Sequence, residues 1–176
     1  MKKSLLLFGL AVLVMSCTAV RVNYDYEKTT DFNAYKTYNY YNDMNMGMSE
    51  LDAKRFLAAL DAGLQAKGMS VSDSPDFLID IKSNTFQEAR NSNVGVGVGG
   101  GGGNVGGGIS IGIPVGQANI NREILFEFVD NNKSGLFWQA VSESSFQPNA
   151  KPEVRESQFK AIVEKVLSGY PPAPKN

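Results

Sequence analysis

Ile124-Leu125-Phe126-Glu127-Phe128-Val129-Asp130-Asn131-Asn132-Lys133-Ser134-Gly135-Leu136-Phe137-Trp138 is the stretch on which the fold turns. Ile124, Phe126 and Phe128 alternate with Glu123, Leu125 and Glu127, the period of two that sends successive side chains to opposite faces of a strand. Asp130 to Gly135 is turn chemistry, and Leu136 to Glu143 returns as the partner strand. A lone hairpin is marginal in water. This one needs more strands beside it and a cover over its apolar face.

Both are present in the chain. Phe77, Ile79 and Ile81 point one way while Leu78, Asp80 and Lys82 point the other, so 77–83 reads as a strand entered through the turn Asp73-Ser74-Pro75-Asp76. Thr85 and Phe86 are its natural continuation. The aromatic-rich run Phe32 to Tyr41 suits another strand, with Tyr38 and Tyr40 on one face. The cover is helical. Ser49 to Lys67 opens on a capping-box-like Ser49-Glu50-Leu51-Asp52 and carries Ala53, Phe56, Leu57, Leu60 and Leu64 on one stripe. Lys54, Arg55, Asp61, Gln65 and Lys67 lie off that stripe, and Gly68 is the expected glycine just past the helix end. After a loop at Pro148 to Pro152, a second helix repeats Phe159, Ile162, Val163, Val166 and Tyr170 at helical spacing and stops at Gly169 and Pro171-Pro172.

The expected order is β-α-β-β-β-α. It predicts an α+β two-layer sandwich, an antiparallel sheet of about four strands covered by two helices on one face. The expected core is Phe56, Leu60, Leu64, Phe77, Ile79, Ile81, Ile124, Phe126, Phe128, Phe159, Ile162, Val163 and Val166. Residues 17–31 read as a tether, with room for a short strand at Val20 to Tyr24, and 32–172 as a single domain. A glycine-rich insertion, 94–116, falls between the second and third expected strands. It holds twelve of the chain's 18 glycines and no charge, so it reads either as a flexible loop or as a docking hairpin with aliphatic arms.

Composition excludes several chemistries. The 176 residues carry 17 Lys+Arg against 18 Asp+Glu, which removes the electrostatic signature of a nucleic-acid binder. With no histidine and one cysteine, His-based triads, His or multi-Cys zinc sites and intramolecular disulfides are all out of reach. The glycine segment lacks the Gly-Lys-Ser/Thr of a phosphate-binding loop and the strand-to-helix setting of a dinucleotide site, so no nucleotide is expected. There is no Asp-x-Asp-x-Asn-Gly calcium loop and no Gly-x-Ser-x-Gly elbow. Asp76 and Asp130 are explained by turns, Asp80 by a solvated sheet face and Trp138 by the core. The expected catalytic, cofactor-binding and metal residues are therefore none.

The N-terminus has its own pattern. Lys2-Lys3 precede an apolar run, Leu5 to Met15, the layout of a secretory signal peptide over 1–16. Val14-Met15-Ser16-Cys17 then resembles a bacterial lipobox. That resemblance implies cleavage between Ser16 and Cys17, diacylglyceryl transfer to the Cys17 thiol and acylation of the new amino terminus. Two plainer readings stand beside it. The uncharged run Ser4 to Val20 is at the short limit for a spanning helix, and Cys17 is also compatible with an incidental position after an ordinary signal peptide. Under the lipobox reading, the absence of Asp after Cys17 implies the outer membrane, and the absence of a following acidic cluster favours its periplasmic side.

Ordered motifs along the rest of the chain resemble the bacterial lipoprotein family catalogued as domain of unknown function 4136. The carriers are Asp31-Phe32-Asn33-Ala34-Tyr35-Lys36-Thr37-Tyr38, then Lys67-Gly68-Met69, Asp76-Phe77-Leu78-Ile79, Phe128-Val129-Asp130 with Leu136-Phe137-Trp138, and the close at Tyr170-Pro171-Pro172. The resemblance brings no activity with it. The expected role is a non-catalytic binding or assembly module, tied to the membrane by its N-terminal lipid and meeting an envelope protein or lipid. The alternatives are a carboxylate-based hydrolase of envelope glycan and a glycine-mediated self-assembling surface protein.

Overall fold

The computed structural model describes residues 19–87, 120–133 and 135–173. Residues 1–16, Cys17 and the insertion 94–116 lie outside them. The described chain forms β1 (Arg21–Tyr26), a 3-10 turn (Phe32–Ala34), β2 (Thr37–Tyr40), α1 (Glu50–Ala66), β3 (Ser70–Val71), β4 (Phe77–Gln87), β5 (Ile120–Asp130), β6 (Leu136–Ser145) and α2 (Pro152–Leu167). This is a mixed α+β fold with one six-stranded sheet, in the order β1-β6-β5-β4-β2-β3.

The hairpin forms as its alternation requires. β5 pairs antiparallel with β6 from Asn121 opposite Ser145 to Phe128 opposite Trp138, with an irregularity at Phe128/Val129 beside the turn. β4 pairs antiparallel with β5 over its whole length. Each residue of the expected core is buried. Both helices lie on the face that carries these residues. The Phe56 ring of α1 sits 5.5 Å from Phe126 of β5 and 5.6 Å from Phe159 of α2. Close contact between the helices is set by Gly63, where a Cβ would come within 2.7 Å of Leu167 and 2.9 Å of Val163. α1 begins as the capping pattern requires, with Ser49 Oγ accepting from the Asp52 N–H, and Gly68 follows its end at φ +81°.

Three expectations are corrected. The sheet has six strands rather than about four, because the short strand allowed for at Val20 to Tyr24 within the tether forms as β1, Arg21–Tyr26, and a two-residue β3 adds to the opposite edge. β1 pairs antiparallel with β6, its Tyr24 ring lies 6.2 Å from Trp138, and the Tyr24 O–H donates to the Lys165 carbonyl of α2 at 2.7 Å. The sheet is also not purely antiparallel: β2 runs parallel to β3 and β4. α1 carries the chain back across the sheet between β2 and β4, which is the connection a parallel pair needs. Finally, the strand expected over 32–41 is shortened at its start. Asp31 caps a 3-10 turn there, its Oδ1 accepting from the Asn33 N–H, so the strand begins only at Thr37.

A buried ion cluster joins three elements. Asp52 of α1, 2 % exposed, accepts from Arg55 Nη1 at 3.2 Å and from Arg155 Nη1 of α2 at 2.6 Å, and Arg122 Nη1 of β5 lies 3.8 Å away. Arg155 also donates to the Ala150 and Pro148 carbonyls. The Arg122 guanidinium is stacked 3.7 Å from the Phe146 ring centroid.

Candidate functional site

The end of the sheet that carries the β5–β6 turn holds a cleft of about 620 Å3, bordered by Glu27, Asp31, Tyr35, Asp76, Asp130 and Lys133. Its floor is aromatic. Tyr35 stacks on Phe137 with centroids 4.0 Å apart and planes 4° from parallel. Its O–H donates to Asp130 Oδ2 at 2.7 Å. Asp130 Oδ1 accepts from the N–H groups of Asn132 and Lys133, both at 2.8 Å, which closes the hairpin turn.

Asp76 works differently from the local turn residue the sequence suggests. Its Oδ2 accepts from the Lys36 N–H at 2.8 Å, the Thr37 N–H at 2.8 Å and the Thr37 hydroxyl at 2.9 Å. It therefore fastens the start of β2 to the start of β4 across about 40 residues of chain. Asp80 stays on the open face of the sheet, where Lys82 bridges it to Glu127. Trp138 is fully buried, as expected of a core residue. The structure thus brings Asp76 and Asp130 to one cleft and leaves Asp80 outside it.

Asp76, Asp130 and Glu27 are held on the ionised side. The Lys36 N–H bond draws Asp76 below the usual carboxylate range; burial opposes it, and the Thr37 bonds add to the lowering. Burial pushes Asp130 upward, but the bonds from Tyr35, Lys133 and Asn132 and the Lys133 charge outweigh it, so it too sits low. Glu27 is lowered by the Thr29 N–H and hydroxyl. Burial and the neighbouring Asp130 push the Tyr35 hydroxyl well above its ordinary value, so it stays a donor. A glycan hydrolase of the two-carboxylate type needs one carboxyl raised enough to deliver a proton. Asp76, Asp130 and Glu27 are all displaced in the opposite direction. The cleft offers fixed anionic acceptors over an aromatic floor, which suits binding of a cationic or hydrogen-bond-donating group.

A pH dependence follows. Asp76 and Asp130 have lower pKa values folded than unfolded, so their stabilisation is complete above the unfolded value of about 4 and is lost as pH falls through the folded values. The melting temperature is expected to fall between pH 5 and pH 2, and less steeply in Asp76→Asn. Parallel curves for the two proteins would contradict this assignment.

A second depression, about 600 Å3, runs between α1 and α2 over Ala58, Ala59, Ala62, Gly63 and Val163. It offers apolar packing surface. Among the described residues, no three His, Cys, Asp or Glu side chains converge as a metal site, and no helix is long and apolar enough to cross a membrane. Ser16 and Cys17, the expected cleavage and lipidation residues, lie outside the described residues.

A mixed α+β domain with two helices on one face of a six-stranded sheet is thereby defined. Its sequence matches the profile of the family described as Domain of unknown function (DUF4136) over residues 22–172, and the chain belongs to that family. No curated protein matches the chain in sequence. Among solved structures, a PDZ domain protein from Parabacteroides distasonis superposes with a TM-score of 0.57 at 13 % identity, covering 98 % of this chain. This chain spans 41 % of that protein's length, and the likeness is one of fold. The PelC dodecamer from Paraburkholderia phytofirmans gives a TM-score of 0.47 at 12 % identity, covering 85 % of this chain and 96 % of its own.

Proposed function

We propose that this chain is a lipid-anchored, non-catalytic binding or assembly module of the bacterial envelope, held at the outer membrane through Cys17 and facing the periplasm. The observation that carries the reading is the position of the domain boundary. Val20 already packs against the core and β1 begins at Arg21, while the family match starts at residue 22. The lipobox-like Cys17 stands just ahead of that boundary, the place where a lipid anchor would join the domain. The non-catalytic part rests on the cleft, whose low-pKa carboxylates are committed to fixing β2, β4 and the hairpin turn. Its partner is an envelope protein or lipid.

The test is metabolic labelling with palmitate in cells producing the full chain. Wild type is expected to take up label and to sediment with membranes. Cys17→Ser is expected to lose the label completely and to leave the membrane fraction. Label retained by Cys17→Ser, or never present on the wild type, removes the anchor.

A further inference from the structure

We infer that the domain stands end-on to a phospholipid bilayer, with the Arg21 and Phe86 end of the sheet against the headgroups and the acidic cleft at the far, aqueous end. The inference rests on the lipid-anchor reading and adds an orientation to it.

The leash fixes which end of the sheet lies nearer the membrane. Val20 is docked, so only three peptide steps separate it from Cys17, and three steps reach at most about 11 Å. β5 has eleven residues, and at about 3.3 Å each the sheet is about 36 Å from end to end. An anchor on so short a leash keeps the near end of the sheet at the membrane and prevents the far end from facing it. The register identifies that end. Arg21 lies opposite Glu143, Glu143 opposite Glu123, and Glu123 opposite Asn84. Just beyond that row come Phe86, which is 37 % exposed, and Gln87 opposite Ile120, where the connection between β4 and β5 leaves and returns.

Charge differs in degree between the ends: the near row sets Arg21 against Glu143 and Glu123, while the far end gathers four carboxylates. The opposite end, where Tyr26 faces Trp138 and the hairpin turns, carries Glu27, Asp31, Asp76 and Asp130 against Lys133. Presented to an anionic surface, that end is repelled within a Debye length of about 10 Å. At about 30 Å from the headgroups it is unscreened by lipid and open to a soluble partner.

The experiment uses the full acylated protein, purified from membranes and reconstituted into vesicles of phosphatidylethanolamine and phosphatidylglycerol with a nitroxide on a fraction of the headgroups. A click-reactive residue at position 86 or at position 132 carries the fluorophore, and matching melting curves show that each labelled protein is folded. Flotation with vesicles and at least threefold stronger quenching at 86 than at 132 is the expected result. Flotation with equal quenching, or stronger quenching at 132, overturns the orientation and leaves the anchor standing. Failure to float overturns the anchor and the orientation together.

Discussion

Replacing Asp52 with alanine is expected to destabilise the domain by about 3–5 kcal/mol, read as a lowered urea midpoint with an unchanged slope. Asp52 is the carboxylate among three guanidiniums. Arg55 and Arg155 donate to its two oxygens, and Arg122 stands 3.8 Å away while almost wholly buried. Burial already draws the Arg122 guanidinium below its ordinary pKa, Asp52 opposes that, and Arg155 adds to it. Without the carboxylate, the buried Arg122 faces the half-buried Arg55 and Arg155 with no counter-charge between them. The loss far exceeds that of an exposed pair such as Glu50–Lys54, which is worth a few tenths of a kcal/mol. A double-mutant cycle gives the sharper reading. If the network is as drawn, Arg122→Met is expected to recover part of the Asp52→Ala loss. A loss below 1 kcal/mol in the single variant would falsify the burial argument.

Phe128→Ala is expected to cost a comparable amount, about 3–5 kcal/mol. Its ring lies 5.0 Å from Phe77, 4.6 Å from Trp138 and 5.1 Å from Tyr170, at tilted or edge-on angles. It therefore ties β4 and β6 to the segment that follows α2. Truncation removes apolar burial and those ring contacts at once, and it leaves a void between partners that are themselves fully buried. Domains of this size hold only about 5–15 kcal/mol in total. The variant is expected to melt far below the wild type and to bind a hydrophobic dye on mild heating. Phe86→Ala is the contrasting substitution: that ring is on the exposed end of β4, and its removal is expected to change the midpoint little.

Strong periodicity made the core readable. Phe56, Leu60 and Leu64 on a helical stripe, and Phe77, Ile79, Ile81, Ile124, Phe126 and Phe128 at a period of two, each end up facing the same interior. The features seen only in part, or not at all, are those whose partners lie far along the chain. β1 has a true alternation in Val22, Tyr24 and Tyr26, but it becomes a strand only because β6 offers it an edge. β3 has two residues and no local signal at all. Asp52 looks like one half of a helix cap, and its buried role depends on an arginine 103 residues away. One clue was present: Arg122 shares the parity of Ile124, Phe126 and Phe128, so the strand pattern alone turns a charge inward and demands a counter-charge. Asp61 is a similar case. It lies off the apolar stripe of α1, yet accepts from the hydroxyls of Tyr38 at 2.8 Å and Tyr40 at 2.6 Å. In the cleft, Asp76 and Asp130 are legible as turn residues, but their convergence on one site depends on the parallel β2–β4 pairing, which no local pattern announces.

The pairing of β1 with β6 joins strands about 120 residues apart in the chain. Closing so long a loop is entropically costly until the strands between have assembled, so this seam is expected to be among the last to zip shut during folding. Until then β6 keeps a bare flank of unpaired N–H and C=O groups, able to recruit a strand from a neighbouring copy. A newly made chain is thus most exposed to aggregation in the interval before its own first strand comes home.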